Sequence, residues 1–147
     1  MKVLLLAAAL SLGACDKEPP AFHGVVLGMA PRDVRDRFDV KGKFEVQPSH
    51  RPEGAAPGEA DDFTMTLTPS DASSVRAAQF EFHGGALVAV RADVAPSDPA
   101  DRGDAFEISK FAVLHRVRLA DHAHIDLVAR DCPTHRAEAE KLVSEAR

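Results

Sequence analysis

The strongest constraint on the fold is a pair of stretches in which apolar and polar residues alternate on either side of Gly84-Gly85. Alternation with a period of two is typical of a strand with one buried face. The apolar set is even-numbered in both stretches: Ala78, Phe80, Phe82, Ala86, Val88, Val90 and Ala92. Directly paired residues must then sum to an even number, which predicts a hairpin loop of three or five residues and excludes a two-residue loop. Glu81 and His83 are expected on the outer face.

The same alternation predicts strands at residues 43–47, 62–68, 112–119 and 123–130. A helix is predicted from Pro31, with Val34 and Phe38 on its inner face. A second is predicted after Pro133, and residues 105–111 read as a helical turn. Residues 48–61, rich in Pro, Gly and charge, read as a long loop. We therefore predict the α+β class, an antiparallel sheet of about five to six strands with helices packed on one face.

The last hairpin is predicted with a three-residue loop, Ala120-Asp121-His122, because its apolar residues are odd-numbered in both strands. This register places Arg116 opposite Asp126 and Arg118 opposite His124 on the outer face. It also turns His115 inward.

The N-terminus combines Lys2, a short apolar run and small residues before Cys15, the layout of a secretory signal. The apolar run is well short of the ~20 residues that a membrane-spanning helix needs. Leu12-Gly13-Ala14 directly before Cys15 resembles the lipobox of bacterial lipoproteins, which implies cleavage before Cys15 and its acylation. The predicted organisation is a signal peptide (1–14), a tether (15–22) and one domain (23–147). The open alternative is an ordinary signal peptide with an incidental cysteine.

Two further runs, at residues 24–34 and 80–90, resemble the SmpA/OmlA (BamE-like) family of small envelope lipoproteins. That family combines a lipobox, a short linker, a G-x-x-x-G-M segment and a helix with valine near its start. The resemblance implies an assembly-accessory role and an envelope protein partner. The chain departs from the pattern in having Ala30 where a Ser or Thr cap is usual, and in its longer C-terminal part. The matching Gly28 and Met29 are structural residues, so no functional site is implied.

Cys132-Pro133-Thr134-His135 is the stretch that most suggests a reactive group. Cys132 is expected at the cap of the last helix, where the helix dipole favours a thiolate, with His135 one turn on. A buried structural cysteine is nevertheless the favoured interpretation, and a reactive thiol is the alternative. A zinc site would need more ligands and a c-type haem would need CxxCH, so no metal or other cofactor is predicted. If Cys15 is acylated, Cys132 has no disulfide partner within the chain.

The outer face of the last hairpin offers a candidate binding patch for anionic headgroups or a partner, formed by Arg116, Arg118, His124 and Arg130. A solvated strand face is the favoured interpretation, and the binding patch is the alternative. The chain has a formal net charge of −5 and neither Trp nor Tyr, so no nucleic-acid partner is predicted.

From the sequence we therefore expect a non-enzymatic, protein-binding lipoprotein of the bacterial cell envelope, anchored by Cys15 and facing the periplasm. Two alternatives remain open: a thiol-dependent enzyme or redox sensor using Cys132, and a lipid-surface module using the arginine patch. The sequence leaves inner and outer membrane undecided.

Overall fold

The computed structural model of the chain describes residues 18–38, 40–48 and 62–147. Within those ranges, no helix combines the length and the apolar composition needed to cross a bilayer. The elements follow in the order α1 (Pro31–Arg37), β1 (Gly42–Pro48), β2 (Phe63–Pro69), β3 (Val75–His83), β4 (Ala86–Val94), β5 (Phe106–Ile108), β6 (Ala112–Arg118), β7 (Ala123–Ala129) and α2 (Arg136–Glu145). A single 3₁₀ turn, Pro99–Asp101, lies between β4 and β5.

The strands form one sheet in the order β1-β2-β3-β4-β7-β6-β5, with every neighbouring pair antiparallel. The sheet consists of two meanders, β1–β4 and β5–β7. They join where β7 pairs with β4, so these two strands lie at its centre. Strands paired on both sides have their backbone hydrogen bonds satisfied within the sheet.

The predicted fold class is wrong in two respects. The sheet has seven strands, because the segment read as a helical turn contains β5, which pairs with β6. The helices, of 7 and 10 residues, do not form a layer on one face. Val34 of α1 packs in the same core as Leu114, whereas Ala139 of α2 packs against Val113. Because successive strand residues point to opposite faces, the two helices lie on opposite sides of the sheet.

The main core lies on the α1 side and is rich in phenylalanine. Phe38 stacks on Phe22, with ring centroids 5.7 Å apart, and meets Phe80 edge-on at 5.2 Å. Phe22, the last residue of the predicted tether, is fully buried. It pairs with Val25 across a tight turn through two backbone hydrogen bonds of 2.9 Å. These contacts fix the start of the described chain against the sheet.

Both predicted helices are present. The first begins at Pro31, as predicted, and buries Val34 and Phe38. The second begins at Arg136 and buries Ala139 and Leu142. The predicted signal peptide, Cys15 and residues 49–61 of the predicted loop lie outside the described residues.

The β3–β4 hairpin has a two-residue turn, so the prediction of a three- or five-residue loop is wrong. His83 pairs with Ala86 across Gly84-Gly85, whose φ angles are 56° and 77°. A β-bulge between Glu81 and Phe82 then shifts the register by one residue, so that Phe80 pairs with Val90. Beyond the bulge the predicted inward-facing side chains are buried as expected, because the bulge restores the parity that the short turn breaks. Next to the turn the prediction is wrong: Leu87 pairs with Phe82 and is buried, whereas Ala86 pairs with His83 and is only half-buried.

The β6–β7 register is also wrong by one residue. Arg116 pairs with Ile125 and Arg118 with Ala123, and His115 lies opposite Asp126 rather than Leu127. Residues 112–114 and 127–129 are buried without interruption. In a strand that is covered on both faces, apolar and polar residues do not alternate. The sequence therefore could not show which residues of β6 and β7 face the same side, and so could not fix the loop length.

Candidate functional site

Four side chains meet on the α2 side of the sheet: Glu81, His83, Cys132 and His135. Glu81 and His83 are two residues apart on β3 and so share a face. Cys132 follows β7, and His135 is the N-cap residue of α2. The His135 backbone N–H donates to the Cys132 carbonyl at 3.1 Å, closing a turn that brings both side chains to the same place.

The sulfur of Cys132 lies between two imidazole rings. Its Sγ is 3.5 Å from Nδ1 of His83 and 3.4 Å from Nδ1 of His135. Cys132 is 8% exposed and His135 is 5% exposed. The thiol is therefore shielded from bulk solvent and contacts two nitrogen atoms at once.

The carboxylate of Glu81 accepts from the far nitrogen of both rings. Oε1 is 2.9 Å from Nε2 of His83, and Oε2 is 3.2 Å from Nε2 of His135. Partial burial alone would raise the pKa of Glu81. The electrostatic interaction with His135 and the hydrogen bonds from both rings outweigh this effect and lower the pKa of Glu81 from its ordinary value. Glu81 therefore stays ionised and orients both imidazoles.

Arg91 connects this carboxylate to α2. Its guanidinium is 3.3 Å from Glu81 and donates to both oxygens of Glu138, at 2.9 and 3.0 Å. It also lies 3.9 Å from Asp126 on β7. The arginine thus places a positive charge behind Glu81 and holds the helix that carries His135.

A half-open cavity of about 690 Å³ adjoins the cluster, and we call it the tether groove. Its lining is mostly apolar and includes residues from the start of the described chain: Pro19, Pro20, Val26, Leu27, Gly28, His83, Ala86, Leu87, Val88, Phe111, Ala112, Ala129, Asp131, Cys132 and Pro133. Its size is within the range of small-molecule sites. Phe111, one of the lining residues, is 57% exposed.

The buried carboxylate of Asp98 has a structural explanation. It is fully buried and accepts hydrogen bonds from the Ser74 hydroxyl at 2.5 Å and the Ala100 backbone N–H at 2.7 Å. His23 lies 2.9 Å from it. The carboxylate therefore joins the first turn of the described chain, the segment before β3 and the 3₁₀ turn.

Of the predicted site residues, Cys132 and His135 are brought together as their spacing suggested. The helix cap is His135 rather than Cys132, so the predicted capping role of the cysteine is wrong. Pro133 and Thr134 lie between Cys132 and the cap residue His135. The polar contacts of the sulfur are the two imidazoles.

The four residues of the predicted arginine patch do not lie together on one surface. Arg116 is 7% exposed, donates to the carbonyls of Ala100 and Asp104 at 2.7 and 2.8 Å, and pairs with Glu107 at 2.6 Å. Arg118 donates to the Asp101 carboxylate at 2.9 Å and to nearby carbonyls. Both side chains therefore hold the segment between β4 and β5.

The other two patch residues also have partners. His124 lies on the opposite face of the sheet, 2.7 Å from Asp93 and 3.2 Å from Asp126. Partial burial would lower its pKa, but the hydrogen bond to Asp93 and the charges of both carboxylates raise the pKa above 6.5. Arg130 donates to the Ser109 carbonyl at 2.6 Å. These four residues therefore do not form a cluster of unpaired cations that could bind a lipid surface.

Sequence reasoning missed Glu81 and His83 as site residues and assigned them to the solvated face of β3. The alternation was interpreted correctly, but α2 and the segment after β7 cover that face. His83 and Cys132 are 49 residues apart, and no local pattern links them. The one sequence signal for this site was that Glu81 and His83 alternate with Phe80 and Phe82.

Comparison with protein-family models, with curated proteins and with solved structures found no match to this chain. The resemblance to the SmpA/OmlA (BamE-like) lipoproteins therefore stays a prediction from short sequence motifs.

Proposed function

We propose that the protein is a lipid-anchored, non-enzymatic binding module of the bacterial cell envelope, and that it holds a hydrocarbon chain in the tether groove. The observation that supports this function most directly is where the groove lies. Pro19 and Pro20 line it, four and five residues after the predicted acylation site Cys15.

The short distance from Cys15 makes acyl chains available at the groove. Four residues span at most ~14 Å when fully extended. An acyl chain attached to Cys15, or a lipid of the bilayer that Cys15 enters, therefore begins close to Pro19. Removing apolar surface from water contributes roughly 25 cal/mol per Å², so the exposed ring of Phe111 would be stabilised by such a chain.

The hydrogen-bonding state of the groove favours a hydrocarbon over a peptide segment. The Gly28 N–H donates to the Leu87 carbonyl at 2.8 Å, and the Leu87 N–H donates to the Met29 carbonyl at 2.9 Å. The Phe111 carbonyl accepts from the Arg130 N–H at 2.9 Å. A peptide strand would bring its own N–H and C=O groups to backbone that is already paired, whereas a hydrocarbon chain requires no partner.

Photocrosslinking in native membranes tests the proposal. Benzoylphenylalanine replaces Phe111 in one variant and Val46 in the control. Val46 lies on β1 outside the groove and is similarly exposed, at 51% against 57%. Mass spectrometry then identifies what is joined to each position.

We expect hydrocarbon adducts at position 111 and only background at position 46. A link from position 111 to the lipid on Cys15 would identify the protein's own acyl chain as the occupant, and a phospholipid adduct would identify the bilayer as the source. Adducts at position 111 made only of peptides from another protein would contradict the proposal and favour the protein-partner role implied by the family resemblance. Equal lipid labelling at both positions would also contradict it.

A further inference from the structure

We infer that His83, Cys132 and His135 form a binding site for a zinc-class metal ion. A ligand atom from each of the three side chains lies within 4.8 Å of the other two. Thiolate and imidazole are the donors that zinc prefers in proteins. The site does not depend on the hydrocarbon ligand proposed above.

The distances around the sulfur fit a tetrahedral ion. Zn–S bonds of about 2.3 Å and Zn–N bonds of about 2.0–2.1 Å place sulfur and nitrogen ligands roughly 3.6 Å apart at a tetrahedral angle. The two observed distances from Cys132 Sγ to the imidazole Nδ1 atoms are 3.5 and 3.4 Å. Both sulfur–nitrogen distances therefore match a tetrahedral ion, and the ligand nitrogens of the two rings lie within 4.8 Å of each other.

Proton accounting in the cluster also points to a cation. In the neutral tautomer that donates Nε2–H to Glu81, each ring presents an Nδ1 lone pair on the side of the sulfur. In that tautomer the single thiol proton of Cys132 satisfies only one of the two lone pairs. A metal ion accepts both nitrogen lone pairs and the thiolate, and the thiol proton leaves to solvent as the ion binds.

Glu81 supplies the carboxylate that commonly supports metal-binding histidines. Metal-binding histidines commonly donate their second N–H to a carboxylate, which fixes the ring orientation and makes the ligand nitrogen more basic. Here one carboxylate does this for both rings and is itself held by Arg91 at 3.3 Å. The thiolate and Glu81 together carry two negative charges, which match a divalent ion.

The fourth coordination position faces the tether groove. Cys132 and His83 both line the groove, while His135 lies behind them and is buried. Three protein ligands with one open side can accept water as the fourth ligand. The sequence alone predicts no metal because Cys132 and His135 are only two ligands, and the third comes from β3.

Cobalt titration tests the site without any assumption about activity. The full-length protein is purified reduced, stripped of metal with a chelator, and titrated with Co²⁺ while the visible and near-ultraviolet spectrum is recorded. The variants are Cys132→Ser, Glu81→Gln and His122→Gln. His122 serves as the matched control because it pairs with Asp121 and lies outside the cluster.

We expect one Co²⁺ per chain, tetrahedral visible bands and a thiolate-to-cobalt charge-transfer band, all lost when Zn²⁺ is added. His122→Gln should behave as the parent does, and Cys132→Ser should lack the charge-transfer band. Glu81→Gln keeps all three ligands and should weaken binding by about 10–100-fold. A folded parent that shows no tetrahedral cobalt spectrum would overturn the inference, as would a Cys132→Ser variant with an unchanged spectrum.

Discussion

Arg116 is the residue whose role changes most between sequence and structure. Its alternating position in β6 predicts a solvated cation, yet its side chain is buried on the main-core side. There it bonds two carbonyls of the segment between β4 and β5 and pairs with Glu107. Arg118, two residues on, makes comparable contacts at an exposed position, with 49% of its side chain accessible. The two arginines thus differ in burial rather than in bonding.

We predict that Arg116→Ala lowers the free energy of unfolding by about 2–3 kcal/mol, because the two carbonyls and Glu107 lose a charged donor away from bulk water. Arg118→Ala should cost under about 1 kcal/mol, since water replaces its contacts and screens its charge. Urea unfolding of the two purified variants and the parent measures both values. Equal losses would mean that Arg116 is a surface cation after all.

Single-residue burial was largely predictable in the centre of the sheet and not at its polar sites. Phe80, Phe82 and Val90 are fully buried, as their alternation predicts. The partners of Glu81 and Arg116 come from segments distant in the chain, and a linear pattern records no such contact. Periodicity therefore located the core but not the cluster on its other side.

At the scale of elements, the pairing register of the β3–β4 hairpin depends on its turn. Gly84 and Gly85 both have positive φ angles, which suits the tight turns that follow the twist of a hairpin. The two-residue turn and the bulge at Glu81/Phe82 each shift the register by one residue, and beyond the bulge the predicted parity returns. The odd or even numbering of the apolar positions depends only on the combined register shift. It therefore cannot distinguish a loop with an odd number of residues from a two-residue turn followed by a bulge.

We predict that Gly85→Ala destabilises the protein by about 1–2 kcal/mol, the cost of a left-handed conformation for a residue with a Cβ. No atom would lie within 4 Å of the new Cβ, so the loss comes from the backbone rather than from a clash. Gly85→Asn is the matched control, because asparagine adopts this conformation more readily, and it should lose clearly less. Thermal or urea unfolding compares the two. Equal stability of parent and Gly85→Ala would argue for the longer loop.

For the whole molecule, the sheet separates the phenylalanine core from the Cys132 cluster. The phenylalanine core, α1 and the buried Asp98 lie on one side. The Cys132 cluster lies on the other with α2, and the tether groove is lined both by Cys132 and by Leu87 and Ala112 of the main core. Alternation predicted antiparallel strands at every position except β5. The opposite placement of the helices did not, because an amphipathic pattern gives the buried face of a helix but not the side of the sheet it covers.

The most direct test of the account is acyl labelling at the predicted tether, since both the envelope location and the supply of hydrocarbon to the groove depend on it. Cells expressing the parent, Cys15→Ala or Cys132→Ser are fed labelled palmitate, and the protein is isolated and assayed for label. The chain has only two cysteines, so Cys132→Ser controls for labelling at the other thiol. We predict label in the parent and in Cys132→Ser, and none in Cys15→Ala. Palmitate that survives in Cys15→Ala would contradict the lipid anchor.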